Sequence, residues 1–263
     1  MAAVSAGPAA SVACLQLFVI SIPSAVGRRA RLEPLFRHMA IPFDYVDAID
    51  AAVQSEAQIR AWIWPPRRDW SNYLRPGAVC CALSHLKAYE AMAARGLDAC
   101  AVFEDDAEPA LDGAALGALF AAFRASDVDI LLLASYTQGR PGRLSRLGPS
   151  VLPGHDIFLM EDPPMGGTLA YLIKRGAADR IREFNTPVRV TSDGYDAFIA
   201  ELGLRVAVVK PDLVLPSGAE STIAYLTARQ RLVRWFLPAG LRRWRRRRRE
   251  RAALKNYQVV GEP

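Results

Sequence analysis

Residues 101–109 read AVFEDDAEP: an apolar run ends in three consecutive carboxylates, Glu104, Asp105 and Asp106, just before Pro109. Successive side chains of a strand alternate faces, so Glu104 and Asp106 are expected to share one site while Asp105 points elsewhere or bends into the loop. Two convergent carboxylates repel unless a cation lies between them, and Mg²⁺ or Mn²⁺ favour such oxygen ligands. A metal carrying a diphosphate fits that pattern; a solvated acidic turn is the competing reading. Arg28 and Arg29 follow another apolar run, where a guanidinium can reach a nucleotide phosphate or stay solvated at a helix start.

The elements that must position these groups alternate along the chain. LQLFVISI (15–22) has the length and β-branched content of a buried strand, and Leu32, Leu35, Phe36 and Met39 then fall at helical spacing. FDYVDAIDA (43–51) reads as a second strand, and a Trp- and Pro-rich connection containing Trp62, Trp64 and Trp70 follows it. Pro76-Gly77 opens a helix expected over 78–95, closed by Gly96, and the strand carrying the acids comes next. A short helix ending at Phe123, a buried strand over 127–135 and a Gly/Arg loop succeed it. Beyond Gly166-Gly167, a strand (168–173), a helix (176–184), a polar turn VTSDGYD, a helix (197–202) and a strand (205–209) complete the pattern. This alternation predicts an α/β fold: a mostly parallel twisted sheet flanked by helices on both faces, with later strands antiparallel. Ligands in such sheets collect beyond the C-terminal strand edge, where AVFEDD places its acids.

At 51% hydrophobic and 23% charged residues, the 263-residue composition excludes a disordered or fibrous chain. Cys14, Cys80, Cys81 and Cys100 contain no CxxC pair, which points to a reducing compartment rather than a disulfide scaffold. The first residues lack a basic leader, and 15–22 is too short for a membrane span, so neither secretion nor a transmembrane anchor is expected. The basic charge is concentrated at one end: residues 229–263 hold eleven Arg and one Lys against two Glu, whereas the net charge of the whole chain is +6. Trp235, Phe236, Leu237, Leu241 and Trp244 lie among those arginines, a mixture that suits an anionic membrane surface better than nucleic acid. A division into an extension (1–14), an α/β domain (15–228) and a basic aromatic tail (229–263) follows.

LFVISIPSAVGRRARLEPLFRHMAIPFDYVDAIDA followed by LRPGAVCCALSHLKAYEAMAARGLDACAVFEDDAEP resembles glycosyltransferase family 25, the lipopolysaccharide glycosyltransferases related to collagen galactosyltransferases. GGTLAYLIKRGAADRI continues the likeness, and the Asp of VTSDGYD and the run PDLVLPSGAESTI extend it to about residue 225. Ser21-Ile22-Pro23 and Cys80 depart from the family's usual Asn-Leu and Gly.

The resemblance implies a GT-A-like, inverting enzyme that uses a divalent metal, Mn²⁺ or Mg²⁺, and a nucleotide sugar, most often UDP-galactose, to extend a glycan or glycolipid. It implies donor binding by Arg28, Ser84, His85, Glu104, Asp105 and Gly167, with Glu104 and Asp106 holding the metal. An inverting transfer needs a base for the acceptor hydroxyl; Asp193 is the first candidate and Asp196 the reserve, helix capping being the plain alternative for Asp193. His85 is expected to contact the diphosphate or hold the acidic loop, or else to be a half-buried, hydrogen-bonded histidine. Gly166-Gly167 lets the backbone approach a sugar or simply turns the chain, and the tryptophans offer an acceptor platform or loop packing. With a lipid-linked acceptor, the expected location is cytoplasmic and peripheral on the inner face of the cell membrane.

Two other classes compete. A metal-dependent phosphoester hydrolase would use the same carboxylates but needs a second metal cluster, for which His38, His85 and His155 are few and scattered. A non-enzymatic membrane- or nucleic-acid-binding module would make the tail the function.

Overall fold

The computed structural model describes residues 15–64, 74–137, 142–162, 165–218 and 258–260. The tail call on residues 229–263 therefore lies almost wholly outside the described residues, as does Trp70. Strand β1 (Leu17–Ser21) is buried on both faces. It leads into helix α1 (Val26–His38), strand β2 (Phe43–Asp47), the short helix α2 (Glu56–Ala61) and the long helix α3 (Pro76–Ala94). Strand β3 (Ala99–Glu104) ends on the first acid. A short strand β4 (Ala107–Pro109), helix α4 (Gly113–Ala125) and strands β5 (Ile130–Leu132) and β6 (Tyr136–Thr137) come next. They are followed by strands β7 (Arg143–Pro149), β8 (Asp156–Asp162), β9 (Met165–Gly166) and β10 (Ala170–Lys174), helices α5 (Arg175–Phe184) and α6 (Tyr195–Leu202), and strands β11 (Val206–Lys210), β12 (Val214–Pro216) and β13 (Gln258–Val260).

The main sheet runs β13-β7-β8-β11-β5-β10-β3-β1-β2. The part built from the first three strands of the chain, β2-β1-β3, is parallel, as is β5-β11, while β8 and β10 run antiparallel to both neighbours. The alternating apolar pattern thus produced the α/β sheet expected of it, with the later strands reversed. The hairpin β7-β8 follows the Gly/Arg loop in a stretch to which the sequence pattern assigned no element. Its first strand, RLSRLGP, buries little but Leu144, and a bulge interrupts its register, so no period of two is visible in its residues.

Strand alternation sorts the core into two layers. Leu17 and Val19 of β1 with Ala101 and Phe103 of β3 pack against Leu32 and Phe36 of α1 and Leu116 and Phe120 of α4. Phe18, Ile20, Cys100 and Val102 face the other way, onto Leu86 and Tyr89 of α3, Ile181 of α5 and Phe198 of α6. Each fully buried Leu or Phe adds roughly 1.5–3 kcal/mol, so both layers clamp the β1-β3 pair rigidly.

Strand β1 lies between β2 and β3, and the chain reaches β2 through α1 on one face but β3 through α3 on the other. The strand order reverses at β1. Loops leaving β1 and β3 therefore diverge and open a crevice at their C-terminal ends.

Candidate active site

A cavity of about 140 Å³ occupies that crevice. Its wall combines the end of β1, the segment after β2, the first turns of α3 and the end of β3, and it brings Arg28, Ser84, His85, Glu104, Asp105 and Asp106 together. These residues span nearly eighty positions of sequence, and only the switch in strand order makes them neighbours.

Strand alternation divides the three acids. Cys100 and Val102 face α3, so Glu104 does too; Ala101 and Phe103 face α1, and the chain carries Asp105 to that side. Asp105 is 7% exposed and fully engaged: Oδ1 accepts from Arg28 Nη1 at 2.7 Å and Oδ2 from Ser21 Oγ at 2.9 Å. Arg31 donates to the carbonyls of Asp105 and Ala107, and Ser217 N donates to the Asp106 carbonyl at 2.8 Å. Helix α1 and the β12 end thus fix the acidic turn from two sides.

Glu104 Oε1 accepts from Thr168 Oγ1 at 2.5 Å and lies 3.4 Å from His85 Nε2. Burial raises the pKa of this carboxyl, but His85, the Thr168 hydroxyl and the Arg28 guanidinium outweigh it and hold the group below its ordinary range. Asp106 behaves oppositely. Burial, followed by the charges of Glu104 and Asp105, pushes its pKa up to about 6, against the pull of Arg28. A cation between Glu104 and Asp106 would relieve that repulsion, and two carboxylates are the oxygen donors that Mg²⁺ or Mn²⁺ prefers.

His85 lies deeper than the half-buried position expected of it, at 1% exposure. Its Nδ1 is 2.8 Å from the Tyr171 hydroxyl, which is 2.9 Å from that of Tyr89. Ser84 has a different task from the donor contact expected. Its hydroxyl donates to Cys80 O at 2.6 Å and accepts from Ile49 N at 2.8 Å, so its one proton is not available to a phosphate. It pins α3 to the segment after β2. Arg29 is likewise structural, bound to Ser21 O and Asp47 and stacked 4.4 Å over Tyr45.

A second cluster lies across Gly167-Thr168 from the cavity. Asp193 accepts from Tyr136 OH at 2.6 Å, Thr191 Oγ1 at 2.7 Å and Gly167 N at 3.3 Å. It does not cap α6, whose N-cap position is Gly194 with no side-chain cap bond. Asp196 is exposed in the first turn of α6. Gly167 has φ +111°, and a Cβ there would lie 3.0 Å from the Tyr136 ring, so backbone conformation and close approach both demand glycine. Neither Asp193 nor Gly167 lines the cavity. Ser192 connects the clusters, its Oγ 3.4 Å from Thr168 Oγ1 and from Cys81 Sγ.

The profile of glycosyltransferase family 25 (LPS biosynthesis protein) matches residues 14–138, the segment that builds the switch-point cavity. Over residues 14–138 the chain is thus similar to that family. A mouse (Mus musculus) protein named "Inactive glycosyltransferase 25 family member 3" is 35% identical over 96 residues, 35% of this chain and 16% of that protein. The chain therefore spans about a sixth of that relative's length. Among solved structures, A197 from STIV is 14% identical with a TM-score of 0.39, covering 77% of this chain and 82% of its own. A glycosyltransferase involved in glycosylation of the major capsid of PBCV-1 is 9% identical with the same TM-score, covering 80% of this chain and 95% of its own.

Cys81, Thr168, Tyr136 and Tyr171 were not singled out by sequence. Cys81 carried one signal, its i,i+4 spacing to His85 on α3. The tryptophans part company: Trp62 packs on the small core around Ile59 and Val79, whereas Trp64 is 48% exposed and lies beneath Arg189.

Proposed function

We propose that this chain is an inverting, metal-dependent glycosyltransferase that moves a sugar, galactose from UDP-galactose, onto lipopolysaccharide or another surface glycan. The observation that supports it is the meeting of Arg28, His85, Glu104 and Asp106 in one crevice at the switch point of a parallel sheet segment. Glu104 and Asp106 would hold Mg²⁺ or Mn²⁺, which when bound stabilises the negative charge of the departing nucleoside diphosphate.

The chain's own groups account for the rest. Arg28 places a guanidinium at the cavity wall, where it can meet a phosphate while Asp105 holds its orientation. Three donors fix Asp193, so its carboxylate is oriented to accept the acceptor hydroxyl's proton; Asp196, one turn away, is the reserve base. Gly167, without a side chain, lets its backbone lie against the Tyr136 ring while its N–H donates to Asp193.

We further assign the basic tail, residues 229–263, to the anionic inner face of the cell membrane, where a lipid-linked acceptor would be met. Among the described residues no helix is long and apolar enough to cross a membrane.

The test is a screen of the purified chain with UDP-sugars and Mn²⁺ or Mg²⁺. Binding and turnover of one donor, lost in Glu104→Gln and in Asp106→Asn, supports the reading; no binding of any nucleotide sugar sinks it. Deleting residues 229–263 should release the chain from anionic vesicles without abolishing donor hydrolysis, and unchanged partitioning removes the tail assignment.

A further inference from the structure

Helix α3 places Cys81 and His85 one turn apart on the face that closes the cavity, and Glu104 meets them from the end of β3. The ligand atoms of these three residues all lie within 4.8 Å of one another. His85 is 2% exposed at its side chain, and its Nε2 has no hydrogen-bond partner, an expensive state for a buried ring nitrogen.

The spacing explains what that nitrogen is for. Its 3.4 Å separation from Glu104 Oε1 is long for a hydrogen bond. Two metal bonds of about 2.0–2.1 Å meeting at a tetrahedral angle, however, place an N and an O ligand about 3.4 Å apart. The other side of the ring is arranged to match. Nδ1 is 2.8 Å from Tyr171 OH, which continues to Tyr89 OH at 2.9 Å; with Nδ1–H donating to Tyr171 and Tyr171 donating to Tyr89, an ion displaces to solvent the Nε2 proton that faces Glu104 and takes the Nε2 lone pair. Ligating histidines are oriented in this way, through a hydrogen bond from the nitrogen that does not bind metal.

We propose that Cys81, His85 and Glu104 form a binding site for a borderline transition ion such as Zn²⁺. The donor set of thiolate, imidazole and carboxylate suits Zn²⁺ and not Mg²⁺, which takes oxygen alone. Binding displaces the Cys81 thiol proton to solvent, and the cavity that all three residues line supplies a fourth ligand, water or a phosphate oxygen. Among the described residues both side-chain contacts of Glu104, to Thr168 and His85, use Oε1, the oxygen to which the proposed ion is assigned, whereas Mg²⁺ or Mn²⁺ is proposed to pair Glu104 with Asp106.

The inference stands apart from the donor reading. The full chain, stripped with chelator, is titrated with Co²⁺ and then Zn²⁺ while the near-ultraviolet thiolate-to-Co²⁺ absorption is followed. Expected is a band saturating at one equivalent, displaced by Zn²⁺, absent in Cys81→Ser, at least about tenfold weaker in affinity for His85→Gln, and unchanged in Asp106→Asn. No band in the wild-type chain overturns the site, as does a band that survives Cys81→Ser, which would belong to another cysteine. Cys81→Ser keeps the size of the side chain and a polar contact to Ser192, so it decides the question even where His85→Gln fails to fold. Failure here with intact Mn²⁺-dependent turnover leaves the donor reading in place.

Discussion

Arg28 and Asp105, 77 positions apart, form an ion pair of 2.7 Å that locks helix α1 onto the end of β3. The second Asp105 oxygen takes the Ser21 hydroxyl, so one carboxylate ties together α1, β1 and the acidic turn. Asp105→Ala strands a buried hydroxyl and loosens the guanidinium that faces the cavity. It is expected to lower stability by roughly 3 kcal/mol, read as a shift in denaturant midpoint. An Asp105→Ala chain as stable as the parent would show that the joint is dispensable.

Asp106 should make the ligand-free chain less stable as pH rises. Its carboxyl ionises at about 6 in the folded chain against an ordinary 3.8, so the folded state holds the proton more tightly between those values. Stability from this group is complete below the lower value and lost as pH climbs through about 6, a change of up to ~3 kcal/mol. Asp106→Asn removes the dependence. Its melting temperature should exceed the parent's at about pH 7 and approach it at about pH 4; a constant difference across that range would contradict the assignment.

Tyr171→Phe deletes the hydroxyl between His85 and Tyr89. Both groups are buried, and the loss leaves the His85 Nδ1 and Tyr89 OH ends of that bridge unmatched. A loss of about 1–3 kcal/mol is expected, measured by urea unfolding, and a neutral substitution would argue that the bridge is not formed.

Gly167→Ala forces a side chain onto a backbone at φ +111° and against the Tyr136 ring. The exposed Tyr136 ring can swing away, but its hydroxyl then leaves Asp193. Strain of about 1–3 kcal/mol should accompany a fall in the turnover of the proposed transfer reaction, with affinity for the proposed donor preserved because Gly167 does not line the cavity. Lost donor affinity at unchanged stability would place Gly167 in the donor site instead.

Local patterns carried much of the fold. The apolar runs of β1, β3, β10 and β11 and the spacing of Leu32 and Phe36 in α1 marked their elements within a few residues, because burial of one face imposes a period of 2.0 or 3.6. Exposed, arginine-rich β7 carried no such period and was missed.

The residues alone determined that three acids stand at the end of a buried strand, and that Glu104 and Asp105 face opposite ways, since alternation is a property of the strand itself. Only the tertiary structure decided what each acid meets. Asp105 finds Ser21 and Arg28, Glu104 finds His85, Thr168 and Cys81, and Asp193 finds Tyr136 and Gly167. These pairings depend on β1 lying between β2 and β3 and on which helix covers each face. Sheet order is set by long-range packing of whole elements, and no local period in the chain encodes it.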